Sequence, residues 1–112
     1  MNQVLEHHRD SIKALVKFQL ELSDASALPP DLQVHVGEIV CAVGRIAQLV
    51  NANAADQTSP RLPEFTRLEE AFGDLLIAVL VAAGKTNNTV ISTAFVKHHY
   101  NLTTPRNENQ AD

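Results

Sequence analysis

Two pairs of polar side chains near the middle of the chain have the spacing of a metal or proton-transfer site. His35 and Glu38 are three residues apart and Glu70 and Asp74 are four apart, so on helices each pair projects from one face. Ala42 and Arg45 continue the face of the first pair. Two or three carboxylates with an imidazole favour a divalent cation. Hard oxygen ligands suit magnesium or manganese, and manganese tolerates histidine better. In such a site all four residues are candidates both for metal ligation and for catalysis, provided the two helices pack antiparallel. The same spacing also describes solvent-facing acids, with Arg45 pairing with Glu38 or Glu70, and spacing alone does not choose between the two. His7-His8 and His98-His99 resemble metal-ligand runs, but adjacent helical residues diverge, which favours solvated side chains.

The stretch that must position the second pair is Leu68 to Gly84. Its first half carries Glu69, Glu70 and Asp74, and every residue from Leu75 to Ala83 is apolar. A helix that is apolar all round has to be buried. The apolar run is about half of the ~20 residues that a membrane span requires, so protein is the expected surrounding.

The remaining elements follow from periodicity and from helix breakers. A first amphipathic helix is expected from about Asn2 to Leu22, followed by a connector, Ser23 to Pro30, that ends in two prolines. A second helix is expected to begin near Pro30 or Asp31. It carries a wide apolar stripe of Leu32, Val36, Ile39, Val40, Val43, Ile46, Ala47 and Val50. Gly37 and Gly44 lie beside that stripe, at a cost of about 1 kcal/mol each relative to alanine, which points to close approach of another helix. Cys41, the single cysteine, reads as a small core residue.

The polar segment Asn51 to Pro63 is the expected mobile loop. A third helix is expected from Pro63 or Glu64 to Gly84, with Gly84 as its C-cap. After a short turn a fourth runs from about Thr89 to Asn101, with Ile91, Ala94, Phe95 and His98 on its inner face. A frayed polar tail is expected from Leu102 onward, which makes residues 1–106 one domain and 107–112 a tail.

At 112 residues, with four Phe, one Tyr and no Trp, the chain is expected to be a single all-α domain with an aliphatic core. Helices of this size leave apolar surface at the periphery, so self-association is expected. A net charge of -4 with no Lys/Arg cluster argues against a nucleic-acid surface. The first ten residues lack the apolar core of a signal peptide, and the expectation is a cytoplasmic protein with no membrane association. Two glycosylation sequons, at Asn87 and Asn101, then read as chance.

Three segments, taken together, carry a resemblance. Val34-His35-Val36-Gly37-Glu38-Ile39, Glu70-Ala71-Phe72-Gly73-Asp74-Leu75-Leu76 and Ala94-Phe95-Val96-Lys97-His98-His99-Tyr100-Asn101 resemble, in order, the signature regions of the MazG-like all-α nucleoside triphosphate pyrophosphohydrolases. The resemblance covers roughly Leu32 to Arg106. It implies a four-helix bundle completed by dimerisation, as a homodimer or homotetramer. It also implies a magnesium (or manganese) cofactor and cleavage of a nucleoside triphosphate between the α and β phosphates. Glu38 and Asp74 match two of the four acidic ligands, and Lys97 and Asn101 match the residues that assist with the phosphates. His35 stands where the first glutamate is expected and Ala71 where the third acid is expected. Glu70, next to Ala71 and sharing a face with Asp74, is the candidate to compensate, with His35 as an alternative ligand or base. The departures make impaired activity one expectation. A non-catalytic nucleotide-binding or oligomeric helical interaction protein is the other.

Overall fold

A computed structural model describes residues 2–104, and the expected tail at 107–112 lies outside the described residues. Five helices follow one another: α1 (Asn2–His7), α2 (Arg9–Ala25), α3 (Leu32–Asn51), α4 (Arg67–Lys85) and α5 (Val90–Thr103). The protein is all-α. The single helix expected at the N-terminus is interrupted at His8, although His8 N–H still donates to Val4 O and Ile12 N–H to His8 O, at 3.1 and 2.9 Å. It also runs past Leu22 through Ser23 and Asp24, so that the prolines, not the first polar residues, mark the connector. Asp31 starts α3 as its N-cap, accepting from Gln33 N–H at 3.0 Å.

α4 is the central element, packed on α3 along one side and on α2 along the other. Contacts at both ends set the direction of the α3–α4 pair. Leu68 N–H, at the start of α4, donates to Ala55 O just beyond the end of α3. At the other end, Lys85 Nζ donates to Ser26 O in the connector that leads into α3. The two helices therefore run antiparallel. α5 packs on α1 and α2.

The contact between α2 and α4 explains one glycine. Gln19, buried, donates from Nε2 to Leu80 O at 3.0 Å, and one turn later Ser23 lies directly over Gly84. A Cβ at position 84 would overlap Ser23 Oγ. Gly84 is thus an interior helix residue that allows close approach, not the expected C-cap. α4 continues to Lys85 with Thr86 as its C-cap, and the left-handed residue of the following turn is Asn87, at φ 58°.

The segment between α3 and α4, expected to be mobile, is tied down. Ser59 is fully buried and takes part in three hydrogen bonds. Its N–H donates to Phe65 O, its Oγ donates to Glu70 Oε1 at 3.0 Å, and the same Oγ accepts from Leu62 N–H at 3.1 Å. Arg67 N–H donates to Gln57 O at 2.7 Å. A capping box then starts α4: Thr66 Oγ1 accepts from Glu69 N–H while Glu69 Oε1 accepts from Thr66 N–H.

Burial of the apolar run on α4 is incomplete. Leu80, Val81, Ala82 and Ala83 are buried, but Leu76 is 56% exposed and Ile77 also faces out. On α5, Ile91 is buried and Phe95 is half-buried, its ring 4.9 Å from that of His8, whereas Ala94 and His98 are exposed, contrary to the inner face expected. Cys41 is exposed as well, not a core residue. No single described helix is long and apolar enough to cross a membrane.

Candidate functional site

Antiparallel pairing of α3 and α4 brings Glu38 and Asp74 to one cleft of about 550 Å³. α3 contributes His35, Glu38, Ala42 and Arg45, and α4 contributes Asp74, Ile77, Ala78 and Val81. The end of α2 and the connector close one side with Leu22 and Leu28. The walls are mostly aliphatic and the charges are few, a composition and a volume typical of a small-molecule site. Glu38, Arg45 and Asp74 are all exposed at its rim. With two carboxylates against one guanidinium the rim is net negative.

His35 is placed differently from the two acids. It is 1% exposed, and its Nε2 lies 2.9 Å from Pro29 O. A carbonyl only accepts, so Nε2 is the donor, and Nδ1 is buried without a hydrogen-bond partner. The imidazole therefore pins the proline connector to the first turn of α3.

Glu70 is also committed. Its Oε1 accepts from Ser59 Oγ, and the side chain lines a second hollow of about 510 Å³ with Arg61, Leu62, Phe65 and Glu69. Asp74 borders both hollows, while Glu38 lines the cleft and not the second hollow. Ala71, where the resemblance calls for an acid, is 1% exposed, so its methyl group is enclosed by protein.

Among the described residues no three His, Cys, Asp or Glu side chains come together closely enough to hold a metal ion. As placed in this chain, Glu38, Asp74, Glu70 and His35 thus do not fit a shared magnesium or manganese ligand set. Two acids border one cleft, the third is turned to the loop, and the imidazole is bonded to a backbone carbonyl.

Lys97 and Asn101 are not part of the cleft. Lys97 Nζ lies 5.2 Å from the centroid of the Tyr100 ring and lines a separate hollow with Leu5, Ser92 and Val96. Asn101, one turn further along α5, is exposed. A juxtaposition that spacing did not reveal lies on the same side of the molecule. His7, His8 and His99 line one hollow between α1 and α5 with Tyr100. Residues so far apart in the chain share no local signal; only the packing of α1 on α5 unites them. Ser59 was equally hidden, as a lone serine in a polar segment.

Comparison with protein-family models, with curated proteins and with solved structures finds no significant match to the chain.

Proposed function

We propose that the chain is a MazG-like helical protein that binds a nucleoside triphosphate, together with the triphosphate's own divalent cation, in the cleft between α3 and α4. Turnover to the monophosphate and pyrophosphate is slow or absent. The observation that carries this reading is the fate of the four acid positions. Glu38 and Asp74, the two retained, line the same cleft from neighbouring helices. The two that are replaced have structural duties: His35 holds the connector and Ala71 fills a buried contact.

Electrostatics decides the form of the ligand. A free triphosphate facing Glu38 and Asp74 with only Arg45 to offset them is repelled, whereas a cation-bound triphosphate has a reason to approach the two carboxylates. The aliphatic walls from Ala42, Ile77 and Val81 suit the flat face of a base, and Arg45 is the chain's own contact for a phosphate oxygen.

A second reading, an active pyrophosphohydrolase, is favoured by the same pair of retained acids. Pyrophosphate release from a panel of nucleoside triphosphates, with magnesium or manganese, separates the two. The expected result is slow release or none. Brisk release that disappears in Asp74→Asn establishes the hydrolase instead.

A further inference from the structure

Of the five histidines, four lie on α5 or on α1 and its junction with α2, elements that pack together. His7, His8 and His99 line one hollow of about 740 Å³ between them, and His98 does not. Adjacent residues diverge on a continuous helix, but here the helix is interrupted at His8, whose φ and ψ of -102° and 17° are not helical. The His7 and His8 rings meet edge to face across the interruption, with centroids 4.7 Å apart. Only His35 has a side-chain hydrogen bond among the described residues, so these imidazoles are uncommitted.

Imidazoles without carboxylates select a class of ligand. Among the described residues no Asp, Glu or Cys lines this hollow. Magnesium and calcium take oxygen ligands, whereas zinc and nickel suit imidazole. Two rings on one zinc, at Zn–N distances of about 2.0 Å and a tetrahedral angle, hold their centroids about 5 Å apart. The 4.7 Å between His7 and His8 is close to that separation. As the side chains stand, no three ligating groups among the described residues surround one point. Convergence requires His7 and His99 to turn about their own side-chain bonds, and both are exposed. His8 is the fixed member, half-buried with its ring 4.9 Å from that of Phe95.

We infer that His7, His8 and His99 bind a divalent cation of the zinc class, and that the metal ties α1 to α5. α1 is a six-residue helix, too short to be stable by itself, and among its described side chains only Val4 is buried. A cation held by one ligand from α5 and two from the end of α1 supplies a tether that packing provides only weakly. Gln3 lines the same hollow and offers an amide oxygen to a ring N–H turned away from the metal. Neither Arg9 nor Lys97 lines it; Lys97 Nζ lies 5.2 Å from the centroid of the Tyr100 ring, in the adjoining hollow. The site shares no residue with the α3–α4 cleft and is independent of the nucleotide reading.

Calorimetric titration of the tag-free chain with zinc chloride, in buffer without nucleotide, tests it. One equivalent is expected to bind and to raise the thermal midpoint. His7→Ala and His99→Ala should each weaken binding at least about tenfold. His98→Ala, at an exposed neighbour outside the hollow, and Cys41→Ser, which removes the exposed thiol, should leave it unchanged. Should a variant fail to fold, the histidine ring resonances of the wild type decide: those of His7, His8 and His99 shift with zinc, and those of His35 and His98 do not. No binding, or binding that His7→Ala and His99→Ala leave intact, overturns the inference. Ring shifts as large at His98 as at His99 overturn it as well, and loss of binding in Cys41→Ser overturns it in favour of an adventitious thiol site.

Discussion

Gly84→Ala is the most informative single change in the core, because two known effects oppose each other there. An interior glycine replaced by alanine ordinarily stabilises a helix by about 1 kcal/mol. At position 84 the added methyl would overlap Ser23 Oγ, and Ser23 Cβ and Gln19 Cγ stand next in line at 3.1 and 3.8 Å. Rotation of the unpaired Ser23 hydroxyl relieves the closest overlap, but Ser23 Cβ at 3.1 Å still requires α2 to give by a few tenths of an ångström. Overpacking of this kind costs about 1–3 kcal/mol, and the movement strains the neighbouring bond from Gln19 Nε2 to Leu80 O, which is worth about 1 kcal/mol. The expected net effect is a loss of roughly 1–2 kcal/mol, or about 4–10 °C in Tm for a domain of this size.

Ser23→Ala should have the opposite sign, because Ser23 Oγ is buried with no hydrogen-bond partner and its removal ends a desolvation penalty. A gain of about 1 kcal/mol is expected. In the Ser23→Ala background the Gly84→Ala change should be tolerated better, with a coupling energy of about 1 kcal/mol or more. Urea denaturation of the four proteins at one concentration measures the cycle. Gly84→Ala at or above wild-type stability, additive with Ser23→Ala, would refute the close-contact account and restore a capping role for the glycine.

Other substitutions probe the site and its supports. Ser59→Ala strands Leu62 N–H and removes the donor to Glu70, at an expected cost of about 2–4 kcal/mol and with faster amide exchange across residues 57–66; an unchanged midpoint would mean that the loop does not depend on Ser59. Ala71→Glu, at a position 1% exposed, buries an unpaired carboxylate and is expected to destabilise severely in metal-free buffer. A Tm within a degree of wild type would show that position 71 reaches the cleft. Thr66→Ala removes the capping box of α4 and should lower stability by about 1 kcal/mol, read by the same urea titration.

What could be read from the chain alone is what local patterns encode. Apolar spacing located every major helix, and Asp31 after two prolines marked the start of α3. The helix pair that carries Glu38 and Asp74 was legible for the same reason, since its connection allows antiparallel packing. Tertiary packing decided the rest. Gly84 at a helix end satisfies the pattern of a C-cap, and only the approach of α2 shows why it is a glycine. The composition of 51–63 is that of a mobile loop, yet one buried serine organises it through three bonds, two at its hydroxyl and one at its backbone N–H, that span several residues each. Spacing put His35 and Glu38 on one face but could not show that Pro29 O lies within reach of the imidazole. The apolar run on α4, Leu75 to Ala83, was expected to be buried, and Leu76 and Ile77 within it are exposed.

The central claim, a cleft that takes a cation-bound nucleotide, is tested most directly by the thermal midpoint in manganese, in a nonhydrolysable nucleoside triphosphate, and in both. The combination at about ten times its Kd should stabilise by roughly 1.4 kcal/mol, a shift of several degrees. Asp74→Asn and Arg45→Ala should each diminish that shift, and nucleotide alone should produce none, since Glu38 and Asp74 outweigh the single Arg45 in the cleft. A midpoint that is unchanged in the combination, or a shift that Asp74→Asn leaves intact, contradicts the claim.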